Sequence, residues 1–220
     1  MPAVHANRPV AGRPVARPRA VAMLIAVVGT LALAGCVGGE KPATRFYVLS
    51  ALGPDAAPIE GVPRDPPLSV DIAALRLPRY LQRPQIVTRS AGNELKLAEY
   101  HQWGGSLAKN MMRVLARDLS TLLATPEVSV FSRRPPVPAD VRVEVDVLQF
   151  ERGPDRRVVL SARWRLRGGA DRAPRLARIT DLRSPPVDAK AGMDATVAAM
   201  SALVGEFSRQ VAVAVAENAR

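Results

Sequence analysis

An alternation of valine with charged residues is the strongest structural constraint in this chain. Every second residue from 141 to 147 is valine and those between are charged, while apolar and polar residues alternate again from 160 to 166. Since successive side chains of a strand point to opposite faces, both segments are predicted to be strands with one buried face. The turn formers Gly153-Pro154-Asp155 lie between them and predict a long antiparallel hairpin. The phase changes at Leu148, which predicts a bulge near Val147 or Leu148.

The rest of the chain adds shorter strands and two helices. Strands are expected at 45–52, 68–75, 86–88, 94–97, 127–131 and 175–182. Ser106 is a sound N-cap for an amphipathic helix that ends near Leu123, and Asp194 is expected to cap a closing helix to about Ala216. Pro84, directly before the third strand, indicates an edge strand. The sequence therefore predicts an α+β domain: a mixed, largely antiparallel sheet with two main helices packed on one face.

The first 35 residues differ in composition from the remainder. They hold four arginines and no acidic residue, followed by an apolar run from Ala20 to Ala34. The run is shorter than the roughly 20 residues that a transmembrane helix needs. A basic lead, an apolar stretch and small residues at its end are the layout of an export signal.

The apolar run ends in Leu33-Ala34-Gly35-Cys36, which resembles the lipobox of bacterial lipoproteins. The resemblance implies cleavage before Cys36, followed by S-diacylglyceryl and N-acyl (palmitate-type) modification of that cysteine. Val37 stands where an aspartate would indicate inner-membrane retention, so an outer-membrane location on the periplasmic face is expected. Cys36 is the only cysteine, which excludes a disulfide framework. The alternative is a cysteine buried in a transmembrane helix, which the flanks disfavour.

These features divide the chain into three parts. Residues 1–35 are expected to be the signal peptide, 36–44 the lipidated cysteine with a flexible tether, and 45–220 one periplasmic domain. Three acyl chains hold a protein firmly to a bilayer, because a single chain binds only marginally.

Catalytic motifs are scarce in the sequence. His101 is the only histidine after the signal, and no nucleophile elbow, phosphate loop or metal-binding histidine pair is present. Glu144 and Asp146 share one strand face and could act as acid and base. Cross-strand ion pairs with Arg163 and Arg165 are the simpler interpretation. We therefore expect no enzyme activity, no metal or other cofactor, and no nucleic-acid partner, since the basic residues are not interleaved with stacking aromatics.

The most informative segment runs from Leu77 to Arg89 and reads Leu-Pro-Arg-Tyr-Leu-Gln-Arg-Pro-Gln-Ile-Val-Thr-Arg. It places a tyrosine and a leucine, both expected to be exposed, beside the expected edge strand. Tyrosine, tryptophan and arginine are the side chains that most often anchor interfaces. The predicted partner-binding surface comprises Tyr80, Leu81, Arg83 and Trp103. The alternative is that Tyr80, Leu81 and Trp103 only close the core around the first helix.

This segment, the lipobox and the strand starting Phe46-Tyr47-Val48-Leu49 together resemble the PqiC/YmbA-like family of ABC-type transport auxiliary lipoproteins. The resemblance runs from about Thr44 to the last helix; Gln82, where an aspartate is common, and Gly104-Gly105 depart from the pattern. It implies a non-catalytic adaptor that works with an MCE-domain protein and an inner-membrane permease and ATPase. Such systems move lipids between membranes and support envelope integrity.

Two other functions and one assembly question stay open at this stage. The chain could instead be an assembly factor for an outer-membrane barrel. A third interpretation is a periplasmic hydrolase that uses carboxylates, with Glu144 and Asp146 as its candidates. The sequence also leaves a homo-oligomer open.

Overall fold

Eight strands and two long helices make up the part of the chain that the computed structural model describes, residues 42–62, 65–130, 139–168 and 171–219. The strands are β1 (Arg45–Tyr47), β2 (Val70–Arg76), β3 (Gln85–Arg89), β4 (Leu95–Trp103), β5 (Val128–Val130), β6 (Val141–Arg152), β7 (Val158–Gly168) and β8 (Pro174–Arg183). The helices are α1 (Leu107–Leu122) and α2 (Gly192–Asn218), and Arg79–Leu81 forms one 3₁₀ turn. The predicted signal peptide, Cys36 and Phe131 lie outside the described residues.

The hairpin predicted from the alternation is the longest ladder of the sheet. β6 and β7 pair antiparallel from Val141↔Gly168 to Arg152↔Val158, and β8 pairs antiparallel with β7. The register shifts between Val147 and Gln149, so the predicted bulge is confirmed. Leu148 is the extra residue and lies exposed. We call β6, β7 and β8 the ladder.

The other edge of β6 carries two separate groups of strands. Residues 141–146 of β6 pair in parallel with β2, which pairs in parallel with β5. Further along β6, Arg152 pairs with Thr88 of β3. β3 pairs antiparallel with β4, and β4 pairs in parallel with β1. The sheet is therefore mixed, as predicted. Between the end of β2 and the start of β3 it is split, and residues 77–84 span the split.

Both helices pack on one face of the sheet, as the sequence predicts. The inward side chains of β6 and β7 are fully buried, including Phe150 and Trp164. The Trp164 ring meets Phe207 of α2 edge to face, with 6.1 Å between ring centroids. Aromatic pairs of this geometry add to the burial energy, so this contact fixes α2 on the ladder.

One helix start was predicted correctly and the other was not. The Ser106 hydroxyl accepts a hydrogen bond from the backbone N–H of Lys109, which confirms the N-cap of α1. Asp194 does not cap α2, because that helix begins at Gly192 with Ala191 in the cap position. Asp194 lies in the first turn instead and pairs with Arg45 at 3.0 Å. A carboxylate there still suits the helix dipole.

The prediction that β3 is an edge strand is wrong. β3 lies between β4 and β6. Pro84 is compatible with this position because the pairing with β6 begins only at Thr88. The proline carbonyl accepts a hydrogen bond from the Trp103 N–H at 2.7 Å, which links the residue before β3 to the end of β4.

Two strand ends also differ from prediction. β4 extends to Trp103, beyond the predicted end at 97, because its last residues pair with β1. β1 ends at Tyr47, short of the predicted 52, because the following backbone bonds to helices. The Leu52 N–H donates to the Asp118 carboxylate of α1 at 2.8 Å, and the Ser50 N–H to the Ser201 hydroxyl of α2 at 3.1 Å.

Candidate binding site at the split of the sheet

The backbone that spans the split is held by its own hydrogen bonds. The Leu81 N–H donates to the Pro78 carbonyl at 3.0 Å, and the Gln82 N–H to the Arg79 carbonyl at 3.1 Å. The Gln82 side-chain amide donates to the Leu77 carbonyl at 2.7 Å. Pro78 and Pro84 restrict the backbone on either side. These hydrogen bonds and the two prolines make residues 77–84 a stiff connection, which we call the bridge.

A buried carboxylate lies under this bridge. Glu151 of β6 is 0% exposed, and its oxygens accept hydrogen bonds from the Tyr80 hydroxyl at 2.7 Å and from the Arg89 guanidinium at 2.8 and 3.0 Å. The Gln149 side-chain amide and the Phe150 N–H add two more, at 3.0 and 3.1 Å. A buried charge is tolerated only when it is paired and hydrogen-bonded, and Glu151 meets that condition. This cluster ties the bridge and β3 to β6.

Burial and hydrogen bonding in this cluster shift the pKa values of Tyr80 and Arg89. Burial raises the pKa of Tyr80 well above its ordinary value, and the hydrogen bond to Glu151 raises it further. The hydrogen bond to Glu151 likewise raises the pKa of Arg89. At neutral pH, Tyr80 is therefore a protonated donor and Arg89 a cation, and both stabilise the carboxylate.

A groove of about 670 Å³ opens beside the bridge. Its walls are mostly apolar and come from the end of β2, the bridge, the end of β4 and the start of α1. The apolar lining consists of Leu75, Leu77, Leu81, Pro84, Trp103, Leu107 and Ala108. Arg76 and Arg83 also line it, and among the described residues no carboxylate does. A concave, mostly apolar space with a few polar groups is the usual form of a ligand site.

The predicted partner-binding residues meet at this groove, with one exception. Leu81, Arg83 and Trp103 line it, whereas the hydroxyl of the half-buried Tyr80 bonds Glu151. Leu81 and Trp103 are each only 3% exposed, so the expectation of an exposed leucine is wrong and both contribute to the core. Arg83 is exposed. A role for the four residues in partner binding stays a prediction.

Sequence reasoning missed two residues that shape this region. Glu151 follows the bulge and Phe150, where the alternation has already lost its phase, so nothing in the pattern indicated a buried acid. Arg76 ends β2 and contacts Asp146 at 3.1 Å. Only the parallel pairing of β2 with β6 brings those two together, and they lie 70 residues apart along the chain.

The candidate acid and base of the hydrolase interpretation are in ion pairs. The Arg165 guanidinium lies 3.4 Å from the Glu144 carboxylate and 3.3 Å from that of Asp146, as predicted. Arg163 is opposite Asp146 in register, yet the second set of ion pairs is formed by Arg167 and Arg76. The prediction for Arg163 is therefore wrong. These pairs account for both carboxylates without catalysis.

Other reactive groups are also engaged in structural contacts. His101 Nδ1 lies 2.8 Å from the Tyr47 hydroxyl, which joins β4 to β1. Within the described ranges, histidine, cysteine and acidic side chains form no cluster suited to a metal ion. In the same part of the chain, no helix combines the length and apolarity needed to cross a membrane.

Comparison with known proteins decides the family. The model of the family described as "ABC-type transport auxiliary lipoprotein component" matches residues 47–212, well over half of the chain. The chain belongs to this family. The match runs from Tyr47, the last residue of β1, through most of α2 and includes the bridge and the groove. None of the curated proteins matches the sequence.

Solved structures support the fold of this auxiliary lipoprotein domain. A protein from Xanthomonas campestris superposes with a TM-score of 0.67 at 14% identity, covering 80% of this chain and 96% of its own. A second structure, of an uncharacterized protein, gives a TM-score of 0.61 at 20% identity, covering 79% and 99%. At these identities the likeness shows the fold alone.

Proposed function

We propose that this auxiliary lipoprotein is anchored through acylated Cys36 to the periplasmic face of the outer membrane. There it serves as an adaptor of an MCE-type lipid transport system. The observation that carries the proposal is the family match over residues 47–212. Only the short predicted tether separates the start of this match from Leu33-Ala34-Gly35-Cys36. The tether lets the domain stand off the membrane while the acyl chains hold it there.

The proposed mechanism is tethering and docking. An MCE-domain protein would bridge the periplasm, an inner-membrane permease and ATPase would supply the energy, and this chain would hold the outer end. The sequence contains no phosphate loop, so ATP hydrolysis belongs to the partner. Glu144 and Asp146 are taken up by arginines, which supports a role without chemistry of its own.

The anchor is tested by labelling and fractionation of the full chain. Wild-type protein is expected to take up an alkyne-tagged palmitate analogue and to band with the outer membrane in a density gradient, whereas Cys36→Ser takes up no label. Val37→Asp is the matched sorting variant: it keeps the label and shifts towards the inner membrane. A Cys36→Ser protein that still bands with the outer membrane and is fully active would overturn the anchoring proposal.

The partner is tested by copurification. The tagged full-length protein, cross-linked in intact cells, is expected to bring down an MCE-domain protein together with the permease and ATPase. Recovery of an outer-membrane barrel instead would favour the assembly-factor interpretation. Glu144→Gln and Asp146→Asn variants are expected to keep both the partners and the activity, and their inactivation would favour the hydrolase.

A further inference from the structure

We propose that the groove beside the bridge holds one acyl chain of a phospholipid, with the phosphate of that lipid on Arg83 and Arg76. The inference deepens the proposed function and rests on it, because the anchor keeps the domain next to a bilayer. It names the ligand class of a site whose shape, lining and charge are set by described residues.

The size and lining of the groove fit a chain of methylene groups. A volume of about 670 Å³ lies within the range of about 300–1,000 Å³ typical of small-molecule sites. Leu75, Leu77, Leu81, Trp103 and Leu107 supply apolar walls that favour an apolar guest.

The charge at the rim fits a phosphate. Arg83 is exposed and has no ion pair within the described residues. The Arg76 side chain is 65% exposed despite its contact with Asp146, so part of its guanidinium is available. Guanidinium groups bind phosphate oxygens by charge-assisted hydrogen bonds. No carboxylate is among the described lining residues, and the Asp146 carboxylate near Arg76 is also paired with Arg165.

The apolar walls of the groove favour an acyl chain over a peptide. The carbonyl groups of Leu77, Pro78, Arg79 and Pro84 all accept hydrogen bonds from within the domain. A peptide that entered the groove would bring its own N–H groups against mostly apolar walls, which is costly unless those groups find acceptors there. An acyl chain carries no such groups.

The test is photo-cross-linking of the full-length, lipid-anchored protein in living cells. A p-benzoylphenylalanine at position 108, a partly exposed groove residue at the start of α1, is expected to yield an adduct with the mass of a phospholipid. The same photo-residue at position 79 is the matched control, because Arg79 is exposed on the same turn outside the groove. Position 79 is expected to give little adduct.

A second substitution in each photo-residue variant separates the effect of rim charge from the effect of groove volume. With the photo-residue at 108, Arg83→Glu is expected to lower the adduct about tenfold. Arg79→Glu, the same charge reversal outside the groove, leaves the adduct unchanged. With the photo-residue at the lining position 82, Leu75→Trp places a larger side chain at a partly exposed wall position and lowers the adduct by taking up groove volume. That pair also keeps the test available should the photo-residue at 108 disturb folding.

Three results would overturn the inference. Equal lipid adducts at 79 and 108 would mean proximity to the bilayer only. A peptide adduct at 108 would mean that the groove docks a partner segment. Absence of any lipid adduct at both 82 and 108, in a protein that still copurifies an MCE-domain partner, would sink this inference while the proposed function stands.

Discussion

The ladder and the bridge are built on the same strand, β6, by opposite means. In the ladder, β6 and β7 bury a continuous apolar face that includes Trp164. At the bridge, β6 presents the buried carboxylate of Glu151. Hydrogen bonds from Tyr80 and Arg89 to this carboxylate connect β6 with the bridge and with β3. Apolar burial is non-directional and strong, whereas a buried ion gains little net energy but fixes one geometry. We infer that the ladder supplies stability and that the bridge shapes a groove.

The largest loss of stability is expected for Trp164→Ala in the ladder. Removing this fully buried ring and its contact with Phe207 should lower the free energy of unfolding by about 3–5 kcal/mol. Ile179→Ala, on the exposed outer face of β8, should change it by less than about 0.5 kcal/mol. Urea unfolding followed by circular dichroism measures both. A loss at Trp164 no greater than that at Ile179 would refute the ladder as the source of stability.

The next largest effect is expected for Glu151→Ala under the bridge. The change leaves Tyr80 and Arg89 without their acceptor and should cost about 2–3 kcal/mol. Glu144→Ala on the same strand is the matched control and should cost less than about 1 kcal/mol, because its ion pairs are partly solvated. The same unfolding assay applies. Equal losses for the two glutamates would show that burial of Glu151 has no structural consequence.

Tyr80→Phe should have a smaller effect that depends on pH. Loss of its hydrogen bond to the buried carboxylate should cost about 1.5 kcal/mol at pH 7. The pKa of Tyr80 is raised in the folded state above its ordinary value of 10.0, so the folded protein holds more protons than the unfolded chain at alkaline pH. Wild-type stability therefore falls as the pH rises past 10, and the gap to the variant narrows. Thermal melts between pH 8 and 11 measure the gap, and a widening gap would contradict this assignment.

The smallest effect on stability is expected at the rim of the groove. Arg83 is exposed and makes no ion pair among the described residues, so Arg83→Glu should change the free energy of unfolding by less than about 0.5 kcal/mol. Differential scanning fluorimetry beside wild type checks this. A drop in melting temperature comparable to that of Glu151→Ala would mean that Arg83 is part of the framework.

The two regions also differ in how far the sequence predicts them. In the ladder, the partners are neighbours along the chain and the apolar face alternates strictly, so the strands and the bulge at Leu148 could be predicted. The bridge depends on contacts between distant segments, such as Glu151 with Tyr80. The proline before β3 predicted an edge strand, yet β3 lies inside the sheet. Pro84 is tolerated there because β3 pairs with β6 only from Thr88 onward, so no backbone N–H is needed at position 84 for that pairing. The sequence predicted that Leu81, Arg83 and Trp103 lie together, and its alternative interpretation, that Leu81 and Trp103 close the core, agrees with their burial.

The claim that function depends on the bridge and its groove can be tested by envelope protection. Cells that lack the protein are complemented with Arg83→Glu or with Arg163→Glu, a charge reversal at an exposed ladder residue, at matched levels in the membrane fraction. Survival in membrane-disrupting detergent is then compared with wild type. The account predicts that Arg83→Glu is as sensitive as the deletion while Arg163→Glu is protected. Full protection by Arg83→Glu, or equal sensitivity of both variants, would contradict it.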